Sequence, residues 1–213
     1  GRNFEYMGED PYLAGKLAVP YIQGLQSNGV AACVKHYACN NEERHRHKTD
    51  VEVSERALRE IYLPAFEMAV KEGDAWSIMA SYNLFRGTHC CHNGYLINDI
   101  LKGEWGFDGL VMSDWAGTHD TKEAVLGGLD VEFGTKVGKK MPAGESVYDI
   151  YYLANPYKEG ILSGEYSMEG LDERVRRVLR LTFKTAMNPD KPYGSMCTPE
   201  HLAVARKVAQ EGI

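Results

Sequence analysis

Gly109-Leu110-Val111-Met112-Ser113-Asp114-Trp115 runs from a glycine through three apolar residues to a serine, an acid and a tryptophan. A short apolar run of this kind reads as a buried strand, and a parallel barrel keeps its functional groups at the C-terminal ends of its strands. A carboxylate there, followed by an aromatic, suits a nucleophile beside a sugar-stacking surface. Asp114 could instead cap the next helix, and spacing alone favours the cap.

Three more runs have the same character: Val30–Val34, Ser77–Ser81 and Gly128–Phe133. Helical patterns lie between them. Ser54 is placed to cap a helix with apolar pairs at Ala57/Leu58 and Ile61/Tyr62, which Pro64 should break, a second piece ending near Gly73. Asn93 opens another, with Leu96, Ile97, Ile100 and Leu101 on one face and Gly103 past its end. A long amphipathic helix is expected from about Met168 to Met187, with Leu171, Val175, Val178, Leu179 and Phe183 facing inward and Arg174, Arg176, Arg177 and Arg180 solvated. Thr198-Pro199 starts a last helix, and Asn188–Met196 reads as a linker. Gly134–Tyr157 reads as a long loop with short helices. Strand–helix alternation predicts an α/β fold with a parallel sheet, either half a (β/α)8 barrel or a small open sheet.

Apolar residues make up 44% of the 213 and charged residues 25%, so a sizeable core can form. The net charge of -6 leaves no basic footprint for nucleic acid or an anionic membrane surface. No apolar run approaches the roughly 18 residues of a membrane span. Five cysteines without framework spacing argue against a disulfide-stapled domain. The chain opens at Gly1-Arg2-Asn3 without a methionine, which suggests a piece of a longer protein.

Other strand ends offer chemistry. Lys35-His36 follow the first run and could donate to sugar hydroxyls, pair structurally with carboxylates, or, through Lys35, form a Schiff base as in a lyase. Ser81-Tyr82-Asn83 follow the second, and Asp130 to Glu132 lie near the fourth. His45-Arg46-His47-Lys48 reads as a solvated basic turn. His89-Cys90-Cys91-His92 lacks the two-residue gap that turns two thiolates onto one metal, so no metal is expected there. No cofactor is expected.

In order and spacing these stretches resemble glycoside hydrolase family 3, the β-glucosidase and β-xylosidase family. The resemblance rests on Gly1-Arg2-Asn3-Phe4-Glu5 with Gly8-Glu9-Asp10-Pro11, on Val34-Lys35-His36-Tyr37 with Asn40, and on Glu55-Arg56-Ala57-Leu58-Arg59-Glu60-Ile61-Tyr62-Leu63-Pro64. It continues through Met79-Ala80-Ser81-Tyr82-Asn83, Trp105-Gly106-Phe107-Asp108-Gly109 and Val111 to Trp115, and so covers nearly the whole chain.

The resemblance implies the second half of a (β/α)8 catalytic barrel over residues 1–187, with 188–213 leading to a second, α/β-sandwich domain. It implies Asp114 as the nucleophile. It further implies Arg2, Lys35 and His36 as sugar-binding donors, Tyr82 and Met79 as wall beside the nucleophile, and Trp115 as an aromatic wall. The expected reaction is retaining hydrolysis of β-glucosides from non-reducing ends, its acid/base glutamate coming from the sandwich domain. Xylosides are the alternative, and Trp115 leans toward glucosides. The loop Tyr37-Ala38-Cys39-Asn40-Asn41-Glu42 lacks the Gly-His-Gly of the N-acetylglucosaminidase branch. As partners the resemblance implies a β-glucoside or oligosaccharide and the remainder of the same enzyme. Alone, the chain is expected to self-associate or bind sugar without turnover. Periplasmic or secreted placement rests on the family's habits.

Overall fold

The computed structural model describes residues 1–134, 144 and 146–212. The first helix, α1 (Pro11–Gln26), begins where Asp10 Oδ1 accepts the Leu13 amide at 2.6 Å and Pro11 takes a position whose amide needs no partner. Periodicity does not announce this helix: Leu13, Leu17 and Tyr21 face solvent, while Gly15, Ile22 and Gln26 are buried. A Cβ at Gly15 would lie 2.4 Å from Met68 Sδ, so the glycine permits the close approach.

Strand β1 (Cys33–Tyr37) begins three residues later than the apolar run 30–34 suggests. Lys35 and His36 therefore lie inside the strand rather than beyond it. Pairing explains the shift: Cys33 and Val34 oppose Ser77 and Ile78, and the ladder resumes at Tyr37 opposite Ala80 after an irregularity. A short strand β2 (Asp50–Val51) follows. Ser54 then accepts the Ala57 amide and opens α2 (Glu55–Ala57), which continues as a π-helical turn, Leu58–Tyr62. Pro64 ends that piece and starts α3 (Pro64–Lys71), as its missing amide dictates.

Strand β3 (Ser77–Ala80) leads to a small hairpin of β4 (Leu84–Phe85) and β5 (Thr88–His89), with β2 alongside β4. Asn93 Oδ1 accepts the Leu96 amide and opens the next helix, Tyr95–Glu104, which is π-helical. Its wider turn carries it through Gly103, so the left-handed residue past its end is Gly106 (φ 68°). Strand β6 (Leu110–Met112) follows, then α4 (Thr121–Gly127), α5 (Val147–Ile150), α6 (Asn155–Ser163), α7 (Met168–Lys184) and α8 (Pro199–Glu211). Part of the expected loop over 134–157 lies outside the described residues.

The sheet runs β1-β3-β6, all parallel. The expected fourth strand contributes one parallel bridge, Met112 to Val131, because the Asp130 and Val131 amides both go to Val111 O. Four chain segments thus lie side by side in sequence order with helices between them, an arc of α/β barrel wall. Among the described residues no helix is long and apolar enough to cross a membrane.

The core lies between sheet and helices. Tyr37, Ile78 and Val111 meet Leu58, Leu63, Leu96, Ile97, Ile100 and Leu101, all essentially inaccessible. Each such side chain is worth about 1.5–3 kcal/mol of transfer free energy. Tyr37 sits edge-on to Phe66 and Trp105 and donates its hydroxyl to Leu96 O at 2.8 Å. The helix α4 closes on the turn before Tyr95 so tightly that a Cβ at Gly127 would lie 2.1 Å from His92 O. Gly127→Ala is expected to cost about 1–3 kcal/mol by overpacking. Thermal melting checks it; an unchanged midpoint would show that α4 can move off the turn.

The long helix α7 docks opposite to expectation. Arg177, the buried residue of this helix, donates to Phe107 O at 3.1 Å and Gly109 O at 2.7 Å. Arg174 donates to Leu129 O and Val125 O, and Arg180 to Asp108 O. Unpaired carbonyls in the segments leading into the strands outcompete solvent for these guanidinium forks. Val175, Val178, Leu179 and Phe183 are left exposed, and Leu171 is only half-buried. Arg176 alone of the four arginines stays on the solvated face. Thr198 caps α8 through the His201 amide, as its sequence suggests.

Candidate active site

Asp114 leaves the C-terminal end of β6 and the chain turns at once. Ser113 N donates to Val131 O and Ser113 Oγ accepts Phe133 N, each at 2.9 Å, which ties the strand end to its neighbour. Gly117 N returns to Asp114 O at 3.0 Å. Asp114 Oδ1 accepts its neighbour Trp115's amide at 2.7 Å, and the residue is only 6% exposed. The cap reading fails, because α4 starts later and Asp120 caps it through the Glu123 amide at 2.8 Å. Asp114 Oδ2 is turned toward His36 Nε2 at 3.6 Å.

His36 lies between two carboxylates, its Nδ1 3.5 Å from Glu5 Oε1. Burial pulls its pKa down, the Asp114 and Glu5 charges resist, and Lys35 and Arg2 add to the fall. Arg2 is buried and pairs with Glu5 and Glu43. Lys35, the residue before His36 on β1, is exposed, and the peptide bonds Lys35–His36 and Tyr37–Ala38 are cis. Arg2, Glu5, His36 and Asp114 therefore form one row in which two carboxylates alternate with a guanidinium and an imidazole.

Tyr82 forms one flank. Burial first and the Asp114 charge second push its phenol up to about 12. The Arg46 guanidinium lies 4.7 Å over its ring, and the His47 ring packs at 4.1 Å. The turn 44–48 is thus not wholly solvated: His45, with φ 57°, folds Arg46 and His47 back onto Tyr82. Nothing in a local run of four basic residues signals that return. Half-buried Met79 opposes Met112 in register, two residues before Asp114. Trp115 forms the other flank, 57% exposed and 5.6 Å from the Phe133 ring at a 30° tilt.

The remaining candidates are structural. Ser81 and Asn83 donate to Ala38 O at 3.0 and 3.3 Å. Cys90 and Cys91 are fully buried, their thiols held by Ala38 O and Ser81 O. Asp130 binds Lys102 Nζ and the Val111 amide, each at 2.8 Å. Glu132 accepts the Leu153 amide at 2.7 Å, and burial raises its pKa to about 7. Such an acid folds more readily protonated, so its contribution is lost as pH rises from the ordinary carboxyl value of about 4.3 through 7. Glu132→Gln is expected to stabilise the protein more at pH 8.5 than at pH 5. Equal gains at both, measured by denaturant titration, would contradict the assignment.

The model of the Glycosyl hydrolase family 3 N terminal domain matches residues 1–181. The β-glucosidase BoGH3A of Bacteroides ovatus is 56% identical over 213 residues, covering all of this chain and 28% of that protein. An exo-α-(1→6)-L-arabinopyranosidase of Bifidobacterium breve is 51% identical, over the whole chain and 26% of the relative. The structure of β-glucosidase 3B from Thermotoga neapolitana in complex with glucose superposes with a TM-score of 0.87 at 38% identity, over all of this chain and 29% of that one. The chain spans about a quarter of the length of the curated relatives it matches.

Proposed function

The chain belongs to glycosyl hydrolase family 3, and on that premise we propose that it supplies the nucleophile and most of the sugar-binding wall of a retaining β-glycosidase acting on β-glucosides. One observation carries the reading: Asp114 is buried at a strand's C-terminal end, one oxygen fixed by a backbone amide and the other facing His36, between two aromatic flanks.

Asp114 Oδ2 attacks the anomeric carbon while the bond to the leaving oxygen breaks. A second carboxyl protonates that oxygen, then takes a proton from the water that releases the sugar. That acid/base is a glutamate outside these 213 residues. His36, Arg2 and Lys35 donate to sugar hydroxyls, Arg46 joins them over Tyr82, and Met79 lines the wall. Trp115 offers its exposed face to the apolar face of the ring. The exposed residues Val175, Leu179 and Phe183 on α7 are covered by the rest of the enzyme, and the isolated 213 residues are inactive.

The arabinopyranosidase relatives make the glycone the open choice, since an α-L-arabinopyranoside keeps the geometry of the scissile bond, lacks the hydroxymethyl group and turns the 4-hydroxyl axial. In the natural polypeptide that carries this sequence, aryl β-glucoside is expected to outrun both β-xyloside and α-L-arabinopyranoside. Proton NMR of the first turnovers tests the chemistry: β-glucose should appear before mutarotation, and α-glucose first would contradict retention.

A further inference from the structure

Behind Tyr82 lies a layer of imidazoles that the reaction above does not use. His89 Nδ1 is 3.0 Å from Tyr82 O. The His89 ring stacks on His119 at 3.9 Å and 27°. His92, almost wholly buried, closes the layer at 5.6 Å from His89 and 6.1 Å from His119. The rings face one another instead of converging on a point, and among the described residues no set of three donors is placed to hold a metal ion. The layer joins two parts of the site: His89 ends β5, seven residues past Tyr82, and His119 follows Asp114 by five.

We propose that this layer positions Tyr82 beside Asp114, and that it does so only while His92 and His119 are neutral. The inference rests on the glycosidase reading above. His89 and His119 are then positioning residues, acting through the Tyr82 backbone.

The physical argument starts with the bond. The bond needs a proton on His89 Nδ1, which a charged ring and one neutral tautomer both supply, so the pH sense comes from the packed rings and not from this bond. Charging the layer puts like charges on rings that touch. Burial first, then the neighbouring histidines, hold His92 and His119 at about 4. The groups facing the layer divide by sign. From α4 come Glu123, 2.8 Å from His92 Nδ1, and Asp120, both favouring charge. From the turn 44–48 comes His47, which opposes charge on His119 and is itself held low by burial and by Arg46. Asp114 acts on His47 from β6. In an opened layer His92 and His119 titrate near the ordinary histidine value of about 6.5. The opened form therefore binds protons more tightly, and falling pH favours opening between about 6.5 and about 4. Opening releases Tyr82.

The test uses the natural polypeptide and three variants. His119→Phe keeps a planar ring in the stack and cannot be charged. It should leave kcat/KM at pH 7 within about twofold of the parent and move the acid limb to lower pH with a shallower slope. His89→Ala should lower kcat about tenfold with less change in KM. His89→Asn, whose amide can donate to the same carbonyl, should recover most of that loss. An acid limb unmoved by His119→Phe, or an asparagine variant no better than alanine, would overturn the proposal. A His119 ring titrating near 6.5 by NMR would overturn it equally. Failure of the nucleophile reading is separate, because it would show as an active Asp114→Asn enzyme.

Discussion

Asp114→Gly, made in the natural polypeptide, is expected to lower kcat/KM for an aryl β-glucoside by roughly four orders of magnitude, or about 5.4 kcal/mol of transition-state stabilisation. The carboxylate forms the covalent bond itself, so its loss removes the route and not merely a contact. Folding should survive, since the side chain makes one backbone hydrogen bond, to its own neighbour Trp115. The glycine leaves space where Oδ2 stood, and added azide should enter it and restore turnover with a product of inverted configuration. An Asp114→Gly enzyme at the parent's rate would remove Asp114 from the mechanism. Without azide rescue in a folded variant, the space would not lie against the anomeric carbon.

Asp130→Ala should produce the largest loss of stability among the site-proximal acids, about 3–5 kcal/mol. Asp130 is nearly inaccessible, and it accepts from Lys102 and from the β6 backbone at Val111. Arg177 Nε lies 4.0 Å away, on the helix that docks by its arginines. Burial already depresses the Lys102 pKa, and the Asp130 charge is what opposes that fall. Removing the acid leaves an unpaired strand amide and a largely buried ammonium with no counter-charge, held only by Gly128 O at 2.6 Å. At about 2–4 °C per kcal/mol for a chain of this size, the melting midpoint should fall by roughly 6–20 °C. Asp130→Asn keeps an acceptor and should lose less. A loss under about 1 kcal/mol for the alanine variant would mean that Lys102 finds water or another partner.

These two acids show what the sequence makes legible. Asp114 follows an apolar run and Asp130 lies within one, and both are candidates on position, with the stretch ending in Asp114-Trp115 the sharper signal. What separates them is the face of the sheet: Asp130 meets Lys102 and α7 outside, while Asp114 meets His36 and Tyr82 at the strand ends. Caps at Ser54, Asn93 and Thr198 were readable because a short polar side chain satisfies a known orphan amide. The docking of α7 was not, because periodicity finds an apolar stripe but not the carbonyls waiting for Arg174, Arg177 and Arg180. The helix α1 escaped for the reverse reason: its apolar residues point outward. Arg46 and His47 were hidden by a left-handed His45, a backbone choice with no mark in a basic tetrapeptide. Lys35 and His36 were placed past a strand that in fact contains them, since pairing with β3, not hydrophobicity, sets where β1 ends.

The most direct test of Asp114 as nucleophile is to treat the natural polypeptide with a 2-deoxy-2-fluoro-β-glucoside bearing a good leaving group and to map the labelled peptide by mass. The fluorine slows both steps and the leaving group speeds the first, so the glycosyl–enzyme ester accumulates. The label is predicted on Asp114, within the peptide that spans Val111 to Trp115. A label on another carboxylate, or none from an enzyme that is folded and turning over β-glucoside, would contradict the account.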